Sequence, residues 1–338
     1  MATRSAAWVT NAVVLPSRGQ RVTNRRTRAL GRVSVSACAG SASLSVVVTG
    51  SSRGIGLALA REFLRAGDRV VICSRSDEDV RRAVEALRKE LEDGSTDSRR
   101  GEVYGTTCDV RDAESVAALR QFSEMVLGGR VDVWVNNAGT VAGKRRPLME
   151  LDPDDVDEVI RTNLVGTMLC CREAMLGMTA QEPPGGHIFL MDGAGVLGGA
   201  TPGYAAYGAT KRAIPQLRKT LAEEVKGIPI GIHNLSPGMV LTDLLLSDST
   251  KEFRKFFNFL AEEPETVAKD LVPRIRSISG TNAYIRFLTI PRAVLQIFLG
   301  FAFGVRRNKF FDWSTGERVD DGNEALYSEK SVRIPFKE

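Results

Sequence analysis

The sequence predicts an α/β domain in which a parallel sheet is covered by helices on both faces. Short β-branched runs alternate with segments of helical periodicity over residues 44–270. A glycine-rich turn follows the first of these runs directly. Strands that are separated by helices need right-handed crossovers, which make neighbouring strands parallel. We therefore expect a single doubly wound domain without an internal repeat.

The predicted strands are short apolar runs that are bounded by turns or polar loops. They cover residues 45–49, 69–73, 103–109, 131–136, 186–191 and 228–235. The predicted helices lie near residues 55–66, 78–91, 113–127, 153–178 and 204–226. A polar loop over residues 93–101 separates the second helix from the third strand.

The basic charge of the chain is concentrated at its beginning. The hydrophobic content of 43% and the charged content of 26% are typical of a soluble globular protein. Residues 1–43 contain seven arginines, and the first acidic residue of the chain is Glu62. Without those seven arginines the formal charge of +5 falls to about −2, so we expect no nucleic-acid partner.

The leader over residues 1–43 is rich in Arg, Ser, Ala and Val and has no long apolar run. This composition predicts an organelle transit peptide, and the alternative is a disordered tail without a targeting role. The Ser, Val and Ala bias favours a plastid over a mitochondrion. Cleavage is expected near Ser36-Ala-Cys-Ala39.

The cysteines and histidines give no metal pattern. The five cysteines show neither the spacing of a zinc site nor that of a disulfide framework. His187 and His233 lie in strand-like runs and are expected in the core or at a strand edge. We therefore predict no bound metal and no histidine-based catalytic triad.

The glycine-rich turn reads Thr49-Gly-Ser-Ser-Arg-Gly-Ile-Gly56. Gly50 permits a sharp turn, Gly54 lets the backbone approach a pyrophosphate, and Gly56 lets the helix pack closely on the strand. The helix N-terminus adds N–H groups and partial positive charge. Because a strand precedes this turn and a helix follows it, the pattern predicts a dinucleotide-binding (Rossmann) site.

The second predicted strand ends in Cys73-Ser-Arg75 and lacks the acid that would bind the ribose hydroxyls of NAD. Arg75 and Arg53 can instead pair with a 2′-phosphate. Two solvated arginines are the alternative interpretation. We predict NADPH as the cofactor and expect Asp109 to accept a bond from the adenine amino group.

Tyr207 and Lys211 lie four residues apart, on one face of a predicted helix. A phenol with a pKa of about 10 is a poor acid–base catalyst at neutral pH. A nearby ammonium stabilises the phenolate, so we expect Lys211 to lower the pKa of Tyr207. This pair is the candidate catalytic centre.

These motifs resemble those of the classical short-chain dehydrogenases/reductases in order and spacing. The resemblance implies that Tyr207 is the proton donor, that Lys211 also binds the nicotinamide ribose, and that Asn163 holds a water in the proton relay. The predicted cofactor contacts are Gly50, Ser52, Arg53, Gly54, Ile55, Gly56, Ser74, Arg75, Asp109, Val110, Asn136, Asn137, Ala138, Gly139, Tyr207, Lys211, Pro237 and Gly238.

One family residue is missing. The family places a carbonyl-polarising serine upstream of the tyrosine, but no serine lies between Leu190 and Tyr207. Either Asp192 or a backbone N–H takes this role, or the chain is not a catalyst. An ionised Asp192 would repel a developing oxyanion. We therefore expect backbone donors of the turn over residues 192–195, with Asp192, Gly193 and Ala194 at its start, to bind the oxygen while the Asp192 side chain points away.

Further segments resemble the plant and algal chlorophyll(ide) b reductases of the non-yellow-colouring-like type. They are Cys170–Met175, Gly185–Phe189, Asp192–Gly195, Ala205–Arg212, His233–Met239 and Tyr284–Thr289. The resemblance implies NADPH-dependent reduction of the 7-formyl group of chlorophyll(ide) b at the stromal side of the thylakoid membrane. It also implies an oligomer, alone or with a related reductase, and contact with a light-harvesting complex. The alternatives are another plastid carbonyl reductase, of the 3-oxoacyl-acyl-carrier type, and a non-catalytic NADP-binding scaffold.

The C-terminal part is expected to cover the substrate and to extend beyond the domain. A substrate lid is predicted over residues 243–265 because several phenylalanines follow the Pro237-Gly238 motif. Residues 271–338 form a predicted extension with an apolar segment at 293–305 and a frayed tail from residue 312. The apolar segment is too short to span a bilayer. It could be a buried or oligomer-packing helix, a membrane-surface segment or part of a lid.

Overall fold

The computed structural model of the chain describes residues 43–93, 101–143, 145–246 and 249–319. The predicted transit peptide lies outside the described residues up to residue 42, and the predicted tail lies outside them from residue 320.

A parallel sheet of seven strands forms the centre of the described part of the chain, in the order β3-β2-β1-β4-β5-β6-β9. This order confirms the predicted doubly wound α/β fold. A short parallel pair, β7 and β8, lies apart from this sheet. The strands are β1 (Ser45–Val48), β2 (Arg69–Ser74), β3 (Glu102–Thr107), β4 (Val133–Asn136), β5 (Gly186–Met191), β6 (Ile230–Ser236), β7 (Met239–Val240), β8 (Ala261–Glu262) and β9 (Tyr284–Arg286).

Helices cover both faces of this sheet. The helices are α1 (Gly54–Arg65), α2 (Asp77–Asp93), α3 (Ala113–Val126), α4 (Pro153–Ile160), α5 (Gly166–Ala180), α6 (Ala205–Glu224), α7 (Asp243–Leu246), α8 (Lys251–Leu260), α9 (Pro264–Arg276) and α10 (Ile290–Phe303). A π-helical segment, Arg161–Val165, joins α4 to α5. Up to β6 the predicted helices and strands are confirmed, with bounds that shift by a few residues.

The core has one layer on each face of the sheet because alternate residues of a strand point to opposite faces. Val46 and Val48 pack in the layer that contains Phe63 of α1 and Leu271 of α9. Val47 packs in the opposite layer, with side chains of α3, α5 and α6. The continuous valine run of β1 therefore reflects burial on both faces.

The predicted domain boundary at residue 270 is wrong. The edge strand β9, at Tyr284–Arg286, pairs in parallel with β6, and Leu271 and Ile275 belong to the core. A strand of three residues is too short to show a periodicity, which is why the sequence did not reveal it. The sheet therefore takes its last strand from the predicted extension.

The apolar segment at residues 293–305 lies in α10, and most of its side chains are exposed. Among the described residues of this helix, Gly300 is buried, and it packs against the ring of Phe259 in α8. The interpretation as a helix buried inside the domain is therefore wrong. An oligomer-packing helix, a membrane-surface segment and part of a lid stay predictions. None of the described helices combines the length and the apolar character that crossing a bilayer requires.

The frayed tail predicted from residue 312 is wrong up to residue 319. Asn258 of α8 is fully buried, and its side chain accepts from the N–H groups of Phe310 and Phe311, both at 2.8 Å. It also donates to the carbonyl oxygens of Arg307 and Phe311. Four hydrogen bonds thus fix Arg307, Phe310 and Phe311 on α8. Beyond them, the N–H of Val319 donates to the carbonyl oxygen of Phe310, and Arg318 pairs with Glu263.

The histidines are buried, as predicted. Nδ1 of His187 lies 3.0 Å from Nε2 of His233, and Phe189 stacks on the His233 ring. Burial lowers the pKa of His233 to about 3, which keeps this ring neutral. Within the part of the chain that is described, His, Cys, Asp and Glu form no group of three that could hold a metal.

Candidate active site

The glycine-rich turn is fixed to the carboxyl end of β4. The side-chain amide of Asn137 donates to the carbonyl oxygens of Thr49 and Gly50, at 2.8 and 2.9 Å. The Thr49 hydroxyl accepts from the N–H groups of Asn137 and Ala138. Gly50 has a φ of +62°, and a Cβ there would lie 2.8 Å from Cα of Ala138. The sequence assigned Asn137 and Ala138 to the cofactor, whereas the structure also makes them supports of the turn.

The N-terminus of α1 fits a pyrophosphate. Its N-cap residue, Arg53, makes no side-chain cap hydrogen bond, and the first turn contains no acid. Gly54 has a φ of +59°, and a Cβ on Gly56 would lie 2.6 Å from the carbonyl oxygen of Gly50. The turn thus packs closely against the neighbouring backbone. Its N–H groups and the partial positive charge of the helix N-terminus face the position where an anion would bind.

Ser51 was not among the predicted site residues. Its hydroxyl donates to the carbonyl oxygen of Val48 and accepts from the N–H of Cys73 at 3.1 Å. It therefore joins β1 to β2 below the turn, while its neighbour Ser52 lies at the turn and is also buried. The Gly-x-x-x-Gly spacing alone does not distinguish these two serines.

Arg53 and Arg75 are exposed and each faces one carboxylate. Arg53 lies 3.7 Å from Asp243, and Arg75 lies 3.3 Å from Glu158. Such surface pairs contribute little because water screens them. A phosphate group can therefore replace either carboxylate, which is consistent with a 2′-phosphate site beside Ser74 at the end of β2.

Asp109 lies beyond the end of β3, where its carboxylate is bound by Arg111. The Arg111 guanidinium donates to both Asp109 oxygens, and the Arg111 backbone N–H donates to one of them. The Arg111 guanidinium holds the pKa of Asp109 below its usual range. The neighbouring Val110 is buried and packs against Gly166 of α5. The sequence did not reveal the Arg111 contact, which competes with the predicted adenine bond.

The end of β4 leads to the candidate catalytic pair, Tyr207 and Lys211. Asn136 is buried, and its amide donates to Sγ of Cys171 at 3.5 Å. A Cβ on Gly139 would lie 3.3 Å from Oδ1 of Asn163 and 3.8 Å from Nζ of Lys211. Gly139 thus lies between Asn163 and Lys211, where a side chain would press on the Asn163 amide.

The structure brings Tyr207 and Lys211 together on α6, beside the carboxyl end of β5. Nζ of Lys211 donates to the carbonyl oxygen of Met191 at 3.2 Å and lies 5.6 Å from the centroid of the Tyr207 ring. Lys211 is only 5% exposed. An ammonium that water scarcely solvates depends on the oxygen atoms around it.

Burial dominates the protonation of this pair. It raises the pKa of Tyr207, and the negative charge of Asp192 raises it further. Burial lowers the pKa of Lys211 to about 8, against the opposing effect of Asp192. The sequence predicted that Lys211 lowers the pKa of Tyr207, whereas burial and the Asp192 charge raise it in this structure.

Asn163 lies in the π-helical segment between α4 and α5. Its side chain accepts from the N–H of Thr140 and donates to the carbonyl oxygen of Thr140, both at 2.8 Å, and it also donates to the hydroxyl of Thr210. π-Helical turns are frequent at functional sites because they re-aim backbone groups. Asn163 therefore fixes the loop after β4 against α6.

The turn that begins at Asp192 packs directly on Tyr207. A Cβ on Gly193 would overlap the Tyr207 hydroxyl. Gly195 has a φ of +92°, and a Cβ there would lie 2.9 Å from Cα of Gly208. Both glycines are needed for the close approach of this turn to α6, with Ala194 between them.

The Asp192 side chain is buried and accepts a hydrogen bond from the hydroxyl of Tyr284 in β9. Burial raises the pKa of Asp192, while hydrogen bonds from Tyr284 and Ser236 oppose this rise. Tyr284 was not predicted as a site residue. The only signal for it in the sequence is the family resemblance of the segment Tyr284–Thr289.

The segment of the predicted lid connects to the candidate site through Arg145 and Tyr204, whose ring centroid lies 6.4 Å from that of Tyr207. The Arg145 guanidinium lies 5.6 Å from the centroid of Tyr204 and 5.7 Å from that of Phe253 in α8. It therefore bridges the lid helix and the residue that precedes α6. Gly238 has a φ of +74° and follows Pro237, and a Cβ on Gly238 would lie 2.9 Å from Cβ of Leu288.

The fold, the phosphate-binding turn and the buried tyrosine–lysine pair define a nicotinamide-dependent oxidoreductase. A family model described as short chain dehydrogenase matches residues 45–252, and the chain belongs to this family.

Several plant proteins are similar to this chain over most of its length. A protein of Arabidopsis thaliana named chlorophyll(ide) b reductase NOL, chloroplastic, is 49% identical over 79% of this chain and 76% of its own length. Its namesake in Oryza sativa subsp. japonica is 48% identical over 79% of this chain and 77% of its own length. A probable chlorophyll(ide) b reductase of the same rice is 44% identical over 86% of this chain, but that match covers only 56% of the relative.

Solved structures share the fold. An actinorhodin polyketide ketoreductase variant with NADPH is 27% identical, with a TM-score of 0.61, over 72% of this chain and 96% of its own. A metagenomic short-chain oxidoreductase in complex with NADP is also 27% identical, with a TM-score of 0.56, over 73% of this chain and 97% of its own.

The contact between Gly193 and the Tyr207 hydroxyl is testable. Gly193→Ala should lower kcat by about 100-fold or more, because the new methyl group displaces the phenol that must meet the substrate. Affinity for the nicotinamide cofactor, measured by fluorescence titration, should stay near the wild-type value. Gly199→Ala is the control, because a Cβ there meets no atom within 4 Å. Equal activity of the two variants would contradict the assigned contact.

Proposed function

We propose that the protein reduces the 7-formyl group of chlorophyll(ide) b to the 7-hydroxymethyl group, with NADPH as the reductant. The observation that carries this proposal is the identity of 49% and 48% with two relatives named chlorophyll(ide) b reductase, each over 79% of this chain. The buried tyrosine–lysine pair at the sheet edge supplies the acid that an aldehyde reduction needs.

The cofactor is held along the carboxyl ends of the strands. The turn from Gly50 to Gly56 binds the pyrophosphate, and Arg53 with Arg75 binds the 2′-phosphate. Bound NADPH supplies the hydride. Asn136 and Asn137 shape the floor below it from the end of β4, and Pro237 and Gly238 flank the nicotinamide.

Tyr207 donates the proton to the carbonyl oxygen. Lys211 stays fixed by the Met191 carbonyl and stabilises the phenolate that remains after proton transfer. Asn163, whose side chain is fixed by Thr140 and Thr210, holds a water in the relay that returns a proton to Tyr207. As the pH rises through the pKa of about 8, Lys211 loses its charge and turnover should fall.

Backbone N–H groups of the turn from Asp192 to Gly195 stabilise the developing alkoxide. A glycine-rich turn that packs on the Tyr207 hydroxyl presents these donors beside the point of proton transfer. An aldehyde carbon is more electrophilic than a ketone carbon, so the reaction tolerates the missing serine.

The protein acts in the chloroplast, as the names of the relatives indicate. We place it on the stromal face of the thylakoid membrane, with a light-harvesting complex and a related reductase as its partners. The reason for the membrane placement is an exposed apolar face on α10, which includes Val294, Leu295, Phe298 and Phe301. Arg307 follows this face as an exposed cation, whereas Arg306 and Lys309 pair with the buried Glu262. An apolar face beside an exposed cation suits the surface of a membrane that contains anionic lipids.

Turnover of chlorophyllide b tests the proposed function. Purified enzyme with NADPH should remove the absorption band of the formyl pigment. Tyr207→Phe should lower kcat by about 1000-fold with little change in cofactor affinity, because only the proton donor is lost. Lys211→Ala should damage both quantities. Wild-type protein that leaves chlorophyllide b unchanged would refute the substrate, and an active Tyr207→Phe variant would refute the donor.

The cofactor preference depends on Arg75. Arg75→Ala should lower kcat/KM for NADPH by about tenfold and leave that for NADH nearly unchanged, because one charge-assisted contact to the 2′-phosphate is lost. Arg82→Ala removes an exposed arginine of α2 that pairs with Asp79 and serves as the control. An unchanged ratio of NADPH to NADH efficiency in Arg75→Ala would rule out this role.

Membrane contact through α10 is tested by flotation with vesicles of galactolipid and phosphatidylglycerol. A Phe298→Glu/Phe301→Glu variant should bind at least about tenfold less well, because two apolar anchors are lost. Met125→Glu alters an equally exposed apolar residue of α3 and should bind like the wild type. If the double variant binds vesicles normally but changes its size in gel filtration, α10 is an oligomer interface instead.

A further inference from the structure

The Asp192 carboxylate lies beside the catalytic pair but is bound from the far edge of the sheet. Its Oδ2 accepts a hydrogen bond from Tyr284 of β9, and β9 lies on the other side of β6 from β5. The Arg286 guanidinium lies 3.7 Å from the centroid of the Tyr284 ring. A cation at this distance fixes the ring and with it the direction of the phenol O–H.

Charged and polar groups from three elements face Asp192. Tyr284 and Arg286 face it from β9, and Ser236 donates a hydrogen bond from β6. Tyr207 and Lys211 face it from α6, since the Asp192 charge acts on the pKa of both. The carboxylate is therefore near the position where negative charge develops on the substrate oxygen, and an ionised carboxylate that moved towards that oxygen would raise the barrier.

We propose that Tyr284 is a positioning residue of the reductase. Its hydroxyl holds the Asp192 carboxylate against β9, away from the substrate oxygen and still close enough to Lys211 to stabilise the ammonium. The proposal rests on the proposed aldehyde reduction for its substrate, but the placement of Asp192 depends only on residues of this chain.

The contacts of Asp192 support both parts of this role. A phenol that donates to a carboxylate stabilises the ionised form, so the Tyr284 bond opposes the effect of burial on the pKa of Asp192. The ionised Asp192 in turn raises the pKa of Lys211, which burial lowers. Without the Tyr284 hydroxyl, Asp192 loses the partner that directs it and is protonated at a higher pH.

The Tyr284→Phe variant tests this role through the pH dependence of turnover. At pH 8, kcat for chlorophyllide b and for a small aromatic aldehyde should fall by about tenfold, with KM within about twofold of the wild-type value. The defect should shrink as the pH falls through the pKa of Asp192, because the protonated side chain no longer repels the alkoxide. In an Asp192→Asn background, Tyr284→Phe should cause no further loss.

Tyr104→Phe is the matched control, because Tyr104 of β3 donates to the Glu102 carboxylate in a similar pair at the opposite edge of the sheet. It should behave like the wild type. A Tyr284→Phe defect that is equal at every pH, or that persists in full with Asp192→Asn, would show a merely structural role and overturn the proposal.

Failure of the proposed function gives a different result. Wild-type enzyme would then leave chlorophyllide b unchanged, while the aldehyde series still reports on Tyr284. Infrared titration of the Asp192 carboxyl needs no substrate, with Asp192→Asn identifying the band. Tyr284→Phe should move its protonation midpoint to higher pH, and an unchanged midpoint would overturn the proposal by itself.

Discussion

The burial of one ammonium group is the constraint on which the site depends. Lys211 is enclosed between α6 and the end of β5, where water cannot solvate it, so protein oxygen atoms must do so. The Met191 carbonyl oxygen accepts a hydrogen bond from the ammonium, and the charge of the Asp192 carboxylate stabilises it from a longer distance. That buried carboxylate needs donors of its own, which come from Tyr284 and Ser236. Electrostatic contacts thus connect the Lys211 ammonium on α6, through Asp192, to Tyr284 of the edge strand β9.

The sequence predicted those features that depend on the geometry of a single strand, turn or helix. The valine run of β1, the glycines of the turn and the Tyr207–Lys211 spacing each follow from the geometry of a single element. The structure places the valines in the core and the turn with the Tyr207–Lys211 pair at the carboxyl ends of the strands. Gly193 was assigned to the oxyanion turn for its backbone. Its contact with the Tyr207 hydroxyl adds a steric reason that the sequence pattern did not show.

Side-chain contacts that form only in the folded structure were not predicted from the sequence. Tyr284 reaches Asp192 across 92 positions of the chain, from a strand of three residues that has no measurable periodicity. Arg111 binds Asp109 from only two positions away, but nothing in the composition of that loop favours the ion pair over an exposed arginine. The direction of the Tyr207 pKa was predicted wrongly for a related reason, since desolvation depends on the packing around a group.

Residues with different proposed roles lie in different parts of the chain. The segment shared with the short-chain dehydrogenase family ends at residue 252, and β9 and α10 lie beyond it, with only residues 287–289 between them. The shared part contains every residue proposed to hold the cofactor or to transfer a proton. The later part contains the strand that restrains Asp192 and the helix with the exposed apolar face. Substitutions within residues 284–303 would therefore change the hydrogen bond to Asp192 or the exposed apolar face of α10 while leaving Tyr207, Lys211 and the glycine-rich turn as they are.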